Sequence, residues 1–419
     1  MNIFKRLLNV LKDPVNFYYK LRYRFLTPFY QDYILPKKVR RIRSKETIKV
    51  LFVINELGSW KTENLYNKML QHPRFKPVLL LVEEKSAPYA FNLFKDYLKK
   101  NNYLFFTSEN NEKINSLFKS DIIFYQKPYT GIIEDKYFFY YHLDSLFCYV
   151  AYCFRNRCNP ELRNIQLYDF VWQIYADNNT IIEEFSHILR SKAKNMVNTG
   201  LSFMDDLLLP KTSYNDPWKK VDGNCKRIIF APHHTIFSDL YTYATFFEYC
   251  DFMLELVNKY KDSVQWAFKP HPLLKAKLYK VWGAEKTDVY YSKWEKFDNT
   301  QIAEGEYMGL FKYSDALIHD CGSFKLEYLY TGNPVLYLSK SDQEFDYPNW
   351  QTQESLRLHY RASTKDDIEK FVKNVINGVD SLKQDREGFV KNVLTPPNGK
   401  TACQNIINAI LGEDEYKDI

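Results

Sequence analysis

The chain contains no run of eighteen or more uncharged apolar residues, so no segment reads as a helix that spans a bilayer. Its first residues lack a short apolar stretch followed by a small-residue cleavage site, which argues against a secretory signal. Both absences predict a cytoplasmic protein. The seven cysteines (Cys148, Cys153, Cys158, Cys225, Cys250, Cys321 and Cys403) form no CxxC pair, which speaks against zinc. Their odd number fits reduced thiols better than a disulfide framework. Neither G-x-G-x-x-G nor G-x-x-x-x-G-K-[ST] occurs, so the fingerprints of dinucleotide-binding dehydrogenases and P-loop NTPases are missing. Internal repeats and low-complexity tracts are absent as well.

What is present is enough apolar material for two cores: 419 residues, 45% of them hydrophobic. The net charge of +7 is unevenly placed. Residues 1–46 hold twelve Lys and Arg against three acids, a local +9, which leaves −2 for the rest. A near-neutral body with one basic end argues against nucleic acid as a partner and for a local anionic one. In that end Ile3, Phe4, Leu7, Leu8 and Leu11 recur at helical spacing beside Lys5, Arg6 and Lys12, and six aromatics follow among further cations. The pattern suits an amphipathic helix on an anionic membrane surface, and equally a helix packed on the protein's own body with a solvated basic side. Because the first strand is predicted to begin at Ile48, residues 1–46 read as separable from the sheet.

From there, β-rich runs alternate with amphipathic stretches. Strands are predicted at residues 48–54, 78–82, 121–125, 171–175 and 196–199, with helices between them, and residues 208–224 read as a linker. A second series follows: strands at 227–231, 264–268, 316–319 and 334–338, with a helix predicted over 322–330. Alternation of this kind predicts parallel sheets with crossover helices. The expected fold class is α/β with two Rossmann-like domains facing a cleft, the GT-B type, after a basic amphipathic N-terminal segment. The expected domains are 47–207 for the acceptor and 225–419 for the nucleotide donor.

Three polar clusters lie just past predicted strands of the second series: Ala231-Pro-His-His-Thr235, Lys269-Pro-His-Pro272 and His319-Asp-Cys-Gly-Ser323. Ligands of open parallel sheets bind at that edge. Gly322 and Ser323 are placed to open a helix whose free N–H groups would hold a phosphate, or Asp320 and Ser323 simply cap it. Glu327, one turn later, suits ribose hydroxyls or solvent. His271, stiffened by its flanking prolines, suits a diphosphate. In an extended loop His233 and His234 would face opposite ways, so only one is expected to reach a ligand.

The runs Phe268-Lys-Pro-His-Pro272, Tyr313-Ser-Asp-Ala-Leu-Ile-His-Asp-Cys-Gly-Ser-Phe324 and Leu326-Glu-Tyr-Leu-Tyr-Thr-Gly-Asn-Pro-Val335 resemble, in order and spacing, the C-terminal domain of CDP-glycerol glycerophosphotransferases, which build teichoic-acid and related capsular polymers. The likeness covers about residues 225 to 340. It implies that His271, with Gly322 and Ser323, engages the diphosphate of a CDP-linked or other nucleotide-diphosphate donor, alongside Lys269, Asp320 and Glu327. It also implies a glycan or lipid-linked acceptor, and the basic first 46 residues predict an enzyme peripheral on the inner face of the cell membrane. Two departures stand out: the family's Trp-His-Gly-Thr-Pro element is missing from the first half, and its Asp-Tyr-Ser-Ser loop reads Asp320-Cys-Gly-Ser323 here. A nucleotide-sugar glycosyltransferase would need the same sheet-edge site. Candidate bases are His233, His234 and His142. No Asp-x-Asp occurs, so neither a metal nor another cofactor is expected.

Overall fold

The computed structural model describes residues 29–85, 88–109, 111–221, 223–237, 244–305, 307–339 and 348–413, with Pro14, Val15 and Tyr18. The apolar repeat of residues 3–11 lies outside these residues. Two compact units result. One runs to Asp205 and takes in the chain again from Pro396; the other is Asp206–Thr395.

The first unit is built on a parallel sheet of seven strands in the order β3-β2-β1-β4-β5-β6-β7. They are β1 (Ile48–Ile54), β2 (Phe75–Leu81), β3 (Phe105–Thr107), β4 (Ile122–Tyr125), β5 (Leu146–Val150), β6 (Gln173–Ala176) and β7 (Met196–Asn198). The second unit has six parallel strands in the order β10-β9-β8-β11-β12-β13: β8 (Lys226–Ala231), β9 (Val264–Phe268), β10 (Thr300–Ile302), β11 (Ala316–His319), β12 (Val335–Leu338) and β13 (Tyr360–Ala362). Strands β4, β5, β9, β11 and β12 are buried along their whole length, as both faces of a parallel sheet must be when helices cover them. That is why they read as continuous apolar runs rather than alternating ones.

Both ends of the described chain belong to the first core, against the expected boundaries at 46 and 225. In the helix Leu35–Arg43, Val39 and Ile42 are buried, while Lys37, Arg40 and Arg41 face solvent on the opposite side. The helix Ala402–Leu411 buries Ile406, Ile407 and Ile410 in the same cluster as β1 and β2. Arg43 ties the two helices together, donating to Ile410 O at 3.1 Å and Ala409 O at 3.0 Å. Asp205 caps the last helix from outside it, accepting from Ala402 N at 2.7 Å and Cys403 N at 2.9 Å. Sequence order alone assigned these segments elsewhere; apolar faces decided otherwise.

The expected linker is also packed rather than free. Trp218 is buried and donates to Leu310 O at 3.2 Å, and Asp216 pairs with Arg227 at 2.8 Å, so this stretch lines the second unit. The helix predicted over 322–330 is only one turn, Phe324–Glu327, continued by a 3₁₀ segment Tyr328–Thr331. Gly332 ends it at φ +71°, a left-handed conformation that glycine adopts at little cost.

Ile410→Ala removes a fully buried side chain from the last helix. It should lower the stability of the first unit by about 2–5 kcal/mol, read as a shift in its urea midpoint. A shift below about 0.5 kcal/mol would mean that the helix does not belong to this core.

Candidate functional site

In the second sheet the strand order reverses between β8 and β11, and ligands of such sheets bind beyond the carboxyl ends at that point. The β8, β9 and β11 loops carry the three sequence clusters there. Backbone bonds stitch the first two loops together: Lys269 N to Phe230 O at 2.8 Å and His271 N to Pro232 O at 3.0 Å. The third is joined through Asp320, whose carboxylate accepts from His233 N (2.6 Å), Thr245 N (2.7 Å) and Thr245 Oγ1 (3.1 Å). Asp320 is wholly buried and both of its oxygens are engaged inside the protein. Burial pushes its pKa up to about 6, against the pull of these donors. It organises the loops rather than meeting a ligand.

The outcome is a cluster of three imidazoles. His234 lies 4.1 Å from His271 and 4.4 Å from His233, ring centre to ring centre, and His233 lies 5.0 Å from His271. The expectation that His233 and His234 point apart fails because the chain bends at His234, so the alternation of an extended strand does not apply. Burial, mutual repulsion and neighbouring lysines keep all three neutral at pH 7. His233 is lowered to about 3 by burial and by His234, Lys277 and Lys325. His234 is lowered to about 4 by burial and Lys277. His271 falls to about 2 through burial, the other two imidazoles, Lys269 and Lys277.

Each ring has a partner at Nδ1. Leu273 N donates to His271 Nδ1 at 3.1 Å, Lys277 Nζ stands 2.9 Å from His234 Nδ1, and Thr235 Oγ1 lies 3.0 Å from His233 Nδ1. A neutral imidazole has one N–H. His271, accepting at Nδ1, therefore carries its proton on Nε2.

One ring nitrogen from each of the three histidines lies within 4.8 Å of the other two, the spacing of a metal site. The donor set does not fit a cation. A metal at His271 Nε2 would displace the proton held there, and Lys269 and Lys277 would repel it. N–H groups in a cationic field suit an anion instead.

The other predicted residues are placed as follows. Lys269 is nearly buried; its Nζ donates to Gly305 O at 3.2 Å and lies 5.0 Å from the centre of the Tyr307 ring. Glu327 is 1% exposed and accepts from the Tyr307 hydroxyl at 2.5 Å, so it is not a solvated helix carboxylate. Ser323 adopts helical φ/ψ and makes no side-chain cap, and the single turn after it has too few aligned peptides for a strong dipole. Gly322 sits beside it in the same loop. His142 precedes β5, at the amino-terminal edge of the first sheet, stacks on Phe118 with ring centres 3.8 Å apart, and has Nε2 2.7 Å from Lys136 O. That position removes it from the carboxyl edge where ligands bind. Sequence reasoning missed Thr245, Lys277, Tyr307 and Lys325, since a threonine, two lysines and a tyrosine within or beside helices carry no motif.

No family model matches the chain, and no curated protein matches it. Solved structures do. The chain is similar to the wall teichoic acid polymerase TagF at 14% identity and TM-score 0.60, covering 95% of this chain and 97% of that one. It is similar to a UDP-N-acetylglucosamine 2-epimerase described from Listeria monocytogenes at 12% identity and TM-score 0.56, covering 88% and 97%. A Neisseria meningitidis UDP-GlcNAc 2-epimerase bound to UDP-GlcNAc gives 13% identity and TM-score 0.53 over 88% and 100%. These neighbours are of the GT-B fold, and the two parallel-sheet α/β units of this chain share that fold class.

Proposed function

We propose that the protein is a transferase that moves a polyol-phosphate group of the glycerol-phosphate type from a CDP-activated donor to a cell-surface glycan or lipid-linked acceptor, releasing CMP. The observation that carries this reading is the cluster of His233, His234 and His271 at the switch point of the second sheet, neutral and set among Lys269, Lys277 and Lys325. Such donors, held in place before the ligand arrives, stabilise charge that develops on a diphosphate. The sequence run around His271 and Asp320 supports the CDP-linked donor, as does likeness to TagF, which has been solved after soaking with CDPG.

In this reaction the acceptor hydroxyl oxygen bonds to the phosphorus that carries the polyol. The bond from that phosphorus to the bridging oxygen breaks, and CMP leaves with that oxygen. A base takes the hydroxyl proton. His271 serves the diphosphate as an N–H donor. A nucleotide-sugar donor is the second reading, favoured by the likeness to structures holding UDP or UDP-GlcNAc.

The membrane side rests on the outer stripe of the basic segment. Phe29 and Tyr33 are 54% and 61% exposed and stack with centres 5.3 Å apart, and Lys37, Arg40 and Arg41 continue the solvent face. Aromatics at interface depth with cations near lipid phosphates give weak, reversible docking beside a lipid-linked acceptor.

Four outcomes are expected. Wild-type protein should release CMP from CDP-glycerol in the presence of acceptor, and His271→Ala should cut kcat by about a hundredfold with its fold intact by circular dichroism. UDP release from UDP-GlcNAc would favour the second reading, and no turnover of either would leave a non-catalytic protein. The three imidazoles should take up no proton between about pH 8 and about pH 5 in an NMR titration of the histidine rings, because they stay neutral until their lowered pKa values are reached. Stability should nonetheless fall below about pH 6.5, where unfolded imidazoles take up protons and the folded ones do not. A ring of this cluster titrating near 6.5 would contradict the assignment. Binding to anionic vesicles should weaken as salt shortens the Debye length from about 10 Å at 0.1 M to about 3 Å at 1 M, and salt-independent binding would refute electrostatic docking.

A further inference from the structure

Lys277 belongs to the helix Leu274–Trp282, which starts three residues after His271. No sequence motif contains it. Its Nζ stands 2.9 Å from His234 Nδ1, and an ammonium has three donors and no acceptor. The hydrogen bond therefore has one direction: Lys277 donates and His234 Nδ1 accepts. The single proton of the neutral His234 ring is then on Nε2. His271 reaches the same state by a different route, through Leu273 N. Two rings 4.1 Å apart are thus set, by separate donors, to present Nε2–H.

This has a consequence for the division of labour. With Nδ1 filled and Nε2 protonated, neither His234 nor His271 has a nitrogen that can take a proton from an acceptor. His233 differs in that its Nδ1 partner is the Thr235 hydroxyl, which both donates and accepts. The groups facing His234 are His233 from its own loop, His271 from the β9 loop and Lys277 from the following helix; Lys277 also lies 5.7 Å from the centre of the Phe237 ring. A positive charge at hydrogen-bond distance opposes a second proton on His234, in the same direction as its burial.

We propose that Lys277 is a positioning residue for donor binding: by donating to His234 Nδ1 it fixes the tautomer in which His234 offers Nε2–H to a phosphate oxygen. The inference rests on the diphosphate reading of the site. It excludes His234 as the general base.

The test uses the full chain with ¹⁵N-labelled histidine, as wild type, Lys277→Met and Lys277→Arg. Long-range ¹H–¹⁵N spectra report the tautomer and titration of His234 without any ligand. Wild type should give the Nε2–H form with no titration down to about pH 5. Lys277→Met should move the His234 midpoint up toward the ordinary value near 6.5, and Lys277→Arg should restore the wild-type behaviour. Calorimetric titration with inorganic pyrophosphate should show about tenfold weaker binding for Lys277→Met, recovered in Lys277→Arg. A His234 tautomer and titration unchanged in Lys277→Met would overturn the proposal, as would Lys277→Arg binding pyrophosphate no better than Lys277→Met. If CDP-glycerol is not turned over but the spectra change as expected, the transferase reading falls and the lysine lock stands.

Discussion

Asp320 is taken fully out of water, and a carboxylate in that position is tolerated only when donors replace its hydration. His233 N supplies one, and the backbone and hydroxyl of Thr245 supply two more. Thr245 occupies the N-cap position of the helix Phe246–Lys259, and His233 sits in the loop after β8, so one side chain at the end of β11 fixes two other elements. The imidazole cluster follows from this arrangement. With the β8 loop held at His233 N, the bend at His234 turns both rings toward His271, which is itself tied to Pro232 O. The opposite end of β11 uses the same device in milder form, where Asp315 Oδ2 accepts from Arg227 N at 2.8 Å.

Burial sets the chemistry of that cluster. Imidazoles surrounded by protein and lysine ammonium groups stay unprotonated at a pH well below that at which free histidine takes up its second proton, and at neutral pH they act as dipoles rather than charges. The positive charge at the site is then carried by Lys269, Lys277 and Lys325. A ligand with two phosphates would meet fixed cations and directed N–H groups, with little reorganisation left for the moment of reaction.

Most of this architecture was legible in the residues. Continuous apolar runs such as Val264–Phe268 and Ala316–His319 mark buried parallel strands, and the polar groups just beyond them gather at the carboxyl edge of the sheet. Of the three-residue strands β7 was anticipated, whereas β3, β10 and β13 were missed because so short a run has no period to detect. Strand β5 was missed for another reason: Leu146–Val150 is embedded in a stretch already rich in tyrosine and phenylalanine, so nothing marks its start. Within the site, the motif residues His233, His234, His271 and Asp320 could be read in advance, but not their mutual arrangement. Hydrogen bonds across 87 and 75 positions of sequence to Asp320 leave no local trace. The destination of the last helix was hidden similarly, since an amphipathic stretch does not say which sheet it will cover.

The return of the chain to its first unit has a bearing on the order in which the protein is made. Domains generally fold in turn as they emerge from the ribosome, the N-terminal one first. Here the second unit is continuous in sequence, from Asp206 to Thr395, whereas the first waits for Ile406, Ile407 and Ile410 to close its core. Its sheet is synthesised early and stays uncovered on part of one face throughout the translation of the intervening stretch. The later-made unit is thus the first to be finished, and the nascent first unit is the part of the molecule most in need of a chaperone.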